Sequence, residues 1–209
     1  MAYLAQQREA VIQRGKRLEH LTIGWNCLEG LAAMIAGSVA RSISLVGFGL
    51  DSFIEVASAL ALLWRISVDE DAHRRERHEG VALRAVGVCF LALAAFVAYE
   101  SISDLLHRHA TERSVPGIIV ACAALVVMPL FSRAKKRVSR ELGSVAMKAD
   151  AKQADFCAWL SGILLAGLLL NAAFGWWWAD PAAALIMVPL IAKEGVEGLQ
   201  GKDCCNSCD

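Results

Sequence analysis

Six long apolar stretches constrain this chain more than any other feature of its sequence. A helix needs about 20 predominantly apolar residues to cross the hydrocarbon core of a bilayer. Stretches of this kind occupy residues 21–39, 43–64, 81–106, 115–131, 154–176 and 181–199. Since lipid offers no partners for backbone N–H and C=O groups, each stretch predicts a transmembrane helix. The predicted fold is therefore an all-α membrane protein with six transmembrane helices.

Three segments are predicted along the chain. Residues 1–20 are polar and basic and form a cytoplasmic N-terminal segment without a signal peptide, residues 21–199 form the six-helix transmembrane domain, and residues 200–209 form a cytoplasmic Cys-rich tail. Only Ala40, Arg41 and Ser42 separate the first two stretches, which predicts a tight turn within a helical hairpin. Of the 209 residues 56% are hydrophobic, and the formal net charge is zero. A neutral chain has no long-range attraction for nucleic acid, so no such partner is predicted.

Lysine and arginine fall unevenly on the two sides of the predicted bundle. With the N-terminus inside, all but three of the 21 Lys and Arg residues lie in or beside cytoplasmic segments, and the opposite face keeps only Arg41, Arg108 and Arg113. The positive excess of multi-pass proteins lies in their cytoplasmic loops. Both termini are therefore predicted to face the cytoplasm, and the chain is predicted to be a multi-pass protein of a bacterial inner membrane.

Two acids, Asp51 and Glu55, interrupt the second apolar stretch. An acid at the centre of a membrane helix costs roughly 2.5–3.5 kcal/mol, so intramembrane acids indicate function by default. The i, i+4 spacing places both side chains on one helix face. Carboxylates bind divalent cations and also take up protons, so the pair predicts a metal site that exchanges an ion for protons. The alternative is that a Lys or Arg of a neighbouring helix neutralises the pair.

Asp155, near the start of the fifth stretch, is the predicted third metal ligand, because one helix offers too few donors for a metal ion. The alternative for Asp155 is an ion pair with Lys152 at the cytoplasmic end of the helix. Asp150 lies five residues away, about 140° around a helix, and does not share a face with Asp155. It is predicted instead to be an entrance acid in the first helical turn, favoured by the helix dipole.

Asn26 and Glu29 lie three residues apart in the first stretch and hence on one helix face. Glu29 is a further buried acid, and we predict that these two residues, with Asp150, belong to an outer shell of the metal site or to a proton path. A plain hydrogen bond from Asn26 or from the backbone to Glu29 is equally compatible with the spacing.

Two other clusters are candidate secondary metal sites. The first comprises Asp69, His73 and His78. Arginines interleave with its acids, so surface ion pairs are the alternative there. The second comprises Cys204, Cys205 and Cys208. Such thiols bind soft or borderline metals in a reducing cytoplasm, and an unstructured thiol tail is the alternative. The remaining cysteines, Cys27, Cys89, Cys122 and Cys157, lie singly in apolar stretches and are predicted to be small buried hydrophobic residues.

The six-stretch order, the acid pair and the histidine-bearing loop resemble the cation diffusion facilitator, or cation efflux, family. The sequence Trp178-Ala179-Asp180-Pro181, in which Asp180 is predicted to cap the sixth helix, resembles it as well. The likeness covers residues 20–195. It implies a dimeric exporter of zinc and related divalent ions driven by proton antiport, in a short form that lacks the family's cytoplasmic C-terminal domain.

The resemblance also implies a ligand set, with two residues from the second helix and two from the fifth. Asp51 and Glu55 match the first pair, and Asp155 matches the second ligand of the fifth helix. The other position falls on Ala151, where the family commonly has His or Asp. A site of three carboxylates and water favours harder or less discriminated ions than a site with an imidazole.

The predicted function is export of a divalent metal cation by metal/proton antiport, through a carboxylate site between helices 2 and 5. The metal, zinc or a related ion, is then a substrate, and no prosthetic group is predicted. The predicted partners are the metal ion, protons, the lipid bilayer and a second copy of the chain. The alternative is a membrane metal sensor or accessory subunit that binds ions without moving them. No nucleophile–base constellation or phosphate-binding loop stands out, so an enzyme is not predicted.

Overall fold

The computed structural model describes residues 2–67, 72–109, 111–143 and 145–200, and every regular element within those ranges is an α-helix. The helices are α1 (Ala2–Ala40), α2 (Ile43–Ser67), α3 (Ala72–His107), α4 (Val115–Leu142), α5 (Val145–Phe174) and α6 (Ala179–Gln200). Five of them, α1 to α5, are long and apolar enough to cross a membrane. The all-α prediction and the six-helix order are confirmed.

The helix ends differ from the apolar stretches in two places. The first helix begins at Ala2, because the polar N-terminal residues are mostly good helix formers, and the predicted N-terminal segment is therefore continuous with α1. The fifth begins at Val145, one full turn before Asp150. The predicted turn after α1 is confirmed, since Arg41 there adopts a left-handed φ of 53° and the chain reverses into α2.

Helix α1 has an apolar outer face and a polar inner face. Leu21, Leu28 and Ile35 recur at helical spacing, and each is more than 60% exposed. The opposite face carries the buried polar side chains Glu19, Thr22, Asn26 and Glu29. A helix that directs its leucines outward and its acids inward is suited to lipid, because apolar side chains then meet the acyl chains and charges stay within protein.

Helix α2 occupies the centre of the bundle, where it packs against α1, α3, α5 and α6. Glycines let two of the helix pairs approach closely. A Cβ on Gly49 of α2 would lie 3.1 Å from the carbonyl oxygen of Gly30 in α1. A Cβ on Gly87 of α3 would lie 2.7 Å from the carbonyl oxygen of Gly195 in α6. Only glycine fits at Gly87, so α3 and α6 meet backbone to backbone.

Asp180, a residue of α6, accepts hydrogen bonds from the N-terminal end of α2. It was predicted to cap α6, but α6 already begins at Ala179 and Asp180 lies in its first turn. Its fully buried carboxylate instead accepts hydrogen bonds from the side-chain hydroxyls of Ser42, at 2.6 Å, and Ser44. The backbone N–H of Ser44, in the first turn of α2, also donates to it at 3.4 Å. An acid from α6 thus satisfies the N-terminal end of α2.

Candidate metal site

The acid pair of α2 points into the bundle. Asp51 is 2% exposed and Glu55 is completely buried, so both acids lie on the inner face of the helix. Among the ion pairs formed by the described residues, none includes Asp51 or Glu55. The predicted alternative, direct neutralisation by a Lys or Arg, is therefore not found in the described part of the chain.

Glu29 adds a third carboxylate from α1. It is 3% exposed, and it lies within electrostatic reach of both Asp51 and Glu55. No described group donates a hydrogen bond to either carboxylate oxygen of Glu29 or of Glu55. Buried polar groups in proteins are nearly always hydrogen-bonded, so two unsatisfied carboxylates side by side need an explanation. A bound cation or proton would supply the missing partner.

Asn26 and Cys157 approach Glu55 from the two neighbouring helices. Neither brings a donor to a carboxylate oxygen of Glu55 in hydrogen-bond geometry, and both oxygens of the Glu55 carboxylate stay unsatisfied. Cys157 of α5 is 1% exposed and lies within electrostatic reach of both acids of the pair. Gln153 lies one turn before it, with a buried amide nitrogen that has no hydrogen-bond partner among the described groups.

Sequence reasoning missed Cys157 and Gln153. Only acids are predicted as ligands of the fifth helix, and Cys157 is predicted to be a small hydrophobic residue. The signal that identifies it is periodic, because Asp150, Ala154, Cys157 and Ser161 follow the helical repeat and are all buried. These positions define the inner face of α5.

Asp155 lies on a different side of α5. Cys157 lies two positions further along the chain, which is about 200° around a helix, so the two side chains leave α5 in nearly opposite directions. The Asp155 carboxylate is 41% exposed, forms an ion pair with Lys136 and accepts a 2.5 Å hydrogen bond from Ser132, both on α4. The structure gives Asp155 a basic partner on α4 and does not bring it to the acid pair, so its role as a metal ligand stays a prediction.

Asp150 belongs to a buried charge cluster, not to an exposed entrance. The predicted first-turn position is wrong, because α5 begins five residues earlier and Asp150 is 5% exposed. Its carboxylate forms an ion pair with the ammonium of Lys135 on α4, which also lies 3.4 Å from a carboxylate oxygen of Glu19 on α1. The burial of Lys135 and Glu19 was not predicted, because each lies in a strongly charged stretch of sequence, which is typical of solvent-exposed residues.

The secondary clusters are not part of this geometry. Asp69, Cys204, Cys205 and Cys208 lie outside the described residues, as do the side chains of His73 and His78. Within the described ranges, no three His, Cys, Asp or Glu side chains are gathered closely enough to hold a metal ion. The acid pair with Glu29 and Cys157 is therefore a set of neighbouring donors that must draw together to coordinate an ion.

Comparison with known proteins agrees with this arrangement of membrane helices. A model of the cation efflux transmembrane domain matches residues 21–199. An uncharacterised transporter of Synechocystis is 26% identical over 72% of this chain and 50% of its own length. The cation-efflux pump FieF of Shewanella oneidensis is 23% identical, over 80% of this chain and 57% of the pump. The cadmium, cobalt and zinc/H(+)-K(+) antiporter of Bacillus velezensis is 23% identical, over 82% and 55%. The chain thus spans between half and two thirds of the length of these curated relatives.

Proposed function

Because this chain belongs to the cation efflux family, we propose that it exports a divalent metal cation from the cytoplasm in exchange for protons and binds the ion at Asp51 and Glu55. It is a multi-pass integral membrane protein and a transporter, not an enzyme. The observation that carries the proposed site is the state of Glu55, a completely buried carboxylate to which no described group donates a hydrogen bond.

The names of the relatives support the substrate class. One is a cation-efflux pump, and another is named as an antiporter that exchanges cadmium, cobalt and zinc for protons and potassium. Zinc is therefore the first ion to test, and protons are the first counter-ion. Two acids on one helix also fit this exchange, because each can release a proton when a cation arrives and regain it when the cation leaves.

The proposed coordination starts from two carboxylates and recruits donors from neighbouring helices. Cys157 offers a thiolate and Gln153 an amide oxygen from the inner face of α5, while Asn26 and Glu29 support the pair from α1. Asp155 joins this set only in a state in which its ion pair with Lys136 is broken and α5 has turned. For export we propose alternating access: the donors close around an ion, and the site then opens toward the opposite side of the membrane. Two copies of the chain carry out this cycle together.

Flux measurements in proteoliposomes test the proposal. Purified protein is reconstituted with a zinc-sensitive dye inside the vesicles, and a proton gradient is imposed with the acidic side inside. We expect wild-type protein to move zinc into the acidic lumen and Asp51→Asn or Glu55→Gln protein to move none. Glu112→Gln is the matched control, because it makes the same change at an exposed glutamate. Equal flux in the wild type and the Asp51 and Glu55 variants would contradict the proposed site.

A metal sensor or accessory subunit is the second candidate. The observation that favours it is the spacing of the donors, since no three of them in the described ranges are gathered around one point. The same vesicles separate the two functions. Saturable zinc binding by the purified protein, with no flux under any imposed proton gradient, would support the sensor and exclude the exporter.

A further inference from the structure

A second group of buried charges lies apart from the acid pair. Glu19 of α1 and Lys135 of α4 are completely buried, and Asp150 of α5 is 5% exposed. Among the lysines and arginines whose exposure the structure describes, only Lys135 is buried. Three helices therefore converge on one ammonium group, which lies between the two carboxylates.

The charges of this cluster do not balance. Two carboxylates form ion pairs with one ammonium, and no described group donates a hydrogen bond to any of the four carboxylate oxygens. Buried ion pairs contribute little to stability, because desolvation offsets their attraction. Two carboxylates converging on one positive centre is, however, how proteins hold divalent cations.

The cluster and the acid pair lie along the same buried polar faces of α1 and α5. We call these faces, which carry Glu19 and Asn26 on α1 and Asp150 and Cys157 on α5, the polar track. Glu19 precedes Asn26 by seven residues on α1, and Asp150 precedes Cys157 by seven residues on α5. Each interval is two helical turns, about 10 Å. The charges of Lys135 and Asp150 also act on Glu55. The cluster is therefore the neighbour of the acid pair on the side of the bundle where α1 begins.

We propose that Glu19 and Asp150 form a second cation-binding site, which the ammonium of Lys135 fills until a divalent metal ion displaces it. A lysine that occupies such a site closes the inner end of the polar track and keeps cations out of it. When the ammonium withdraws, the two carboxylates are free to receive an ion two helical turns from Glu55. The use of this site as a step toward Asp51 and Glu55 rests on the proposed function, whereas the binding itself does not.

Manganese binding to the purified full-length protein tests the proposal. Mn²⁺ is a hard ion that favours carboxylates over thiols, and the electron paramagnetic resonance signal of the free ion counts what remains unbound. We expect Lys135→Met protein to bind one more Mn²⁺ per chain than wild type. Lys193→Met is the matched control, because it removes an exposed lysine that is paired with Glu197 and leaves Glu19 and Asp150 paired with Lys135; it should gain no ion. The triple variant Glu19→Gln/Lys135→Met/Asp150→Asn should gain none either.

Two results would overturn the proposal. One is a folded Lys135→Met protein that binds no more Mn²⁺ than wild type, and the other is an equal gain by the triple variant, which would place the extra ion elsewhere. If Lys135→Met protein is recovered unfolded, Mn²⁺ in the purification buffer must restore its folding, and failure to do so also overturns the proposal. The extra Mn²⁺ bound on Lys135→Met should also be found when Asp51→Asn and Glu55→Gln are present. The test of the second site therefore does not depend on whether the proposed transport site is correct.

Discussion

Glu55 and Asp180 are both completely buried carboxylates, and they differ in everything around them. Asp180 accepts hydrogen bonds from two serine hydroxyls and a backbone N–H, and it joins α6 to the start of α2. Glu55 receives no hydrogen bond from the described groups and has other acids for neighbours. Burial alone therefore does not mark a functional acid. A carboxylate whose oxygens accept hydrogen bonds from other helices holds those helices together. A buried carboxylate without hydrogen bonds has its oxygens free to bind a ligand.

The largest effect should come from Glu55→Gln. The change removes one of two negative charges from the proposed metal site, and we expect transport to fall by about 100-fold or more, because loss of a group that only supports a metal ligand already costs about 10–100-fold. The midpoint of thermal unfolding in detergent should stay the same or rise, because an unsatisfied buried carboxylate is costly. Zinc flux and unfolding are measured on the same preparation. If zinc flux falls only as much as the amount of folded protein falls, Glu55 acts through stability, as Asp180 does, and the proposed contrast between the two acids is wrong.

Asp180→Ala should show the opposite pattern. The change leaves the hydroxyls of Ser42 and Ser44 and the first turn of α2 without their acceptor, and we expect it to destabilise the fold by about 2–4 kcal/mol. Denaturant unfolding measures this loss, and flux is normalised to the folded fraction. Each folded molecule should still transport zinc at near the wild-type rate. Abolished transport with unchanged stability would assign Asp180 to the ion pathway instead.

Cys157→Ser should change selectivity more than rate. Serine keeps the size of the side chain but replaces a soft donor by a hard one, so cadmium should lose about tenfold in affinity relative to manganese. Competition between the two ions in the flux assay gives the ratio. Cys122→Ser serves as the control, because Cys122 of α4 is exposed, contrary to the prediction that it is buried; Cys89 is exposed as well. An unchanged cadmium preference would show that α5 contributes no thiolate to the site.

The smallest effect should come from Asp155→Asn. The ion pair between Asp155 and Lys136 is about two-fifths exposed on both sides, and such pairs contribute about 0–1 kcal/mol to stability. In the described conformation Asp155 is turned toward α4, so we expect zinc flux to fall less than tenfold. A loss as deep as that of Glu55→Gln would establish Asp155 as a ligand in another state of the transport cycle.

The sequence predicts the parts of this site that are local. Asp51 and Glu55 were identified because charge inside an apolar stretch is expensive and their spacing places them on one face. The six helices follow from stretch length, and the turn at Arg41 from the shortness of the connection. Glu19 and Lys135 could not be identified in this way, because charged neighbours on each side give them the appearance of solvated residues. Their burial results from the packing of α1, α4 and α5, which no local pattern encodes.

The orientation of α5 was the other limit of sequence reasoning. Asp150, Asp155 and Cys157 are close together along the chain but lie on different faces of the helix. Which of them is the candidate ligand therefore depends on which face of α5 points into the bundle. The helical repeat of small buried residues, Ala154 and Ser161 among them, identifies the inner face. Residue type alone favours Asp155, because a carboxylate is the more usual ligand, whereas the repeat places Cys157 on the inner face.

The contact between Gly87 and Gly195 limits how this transporter can change shape. Because no side chain separates the two backbones there, α3 and α6 cannot slide past each other by small adjustments of rotamers and should swing as one lever. The hinges must then lie elsewhere, at short connections such as the one through Arg41. Two glycines that are not part of the acid pair would in this way decide which helices stay together during the transport cycle.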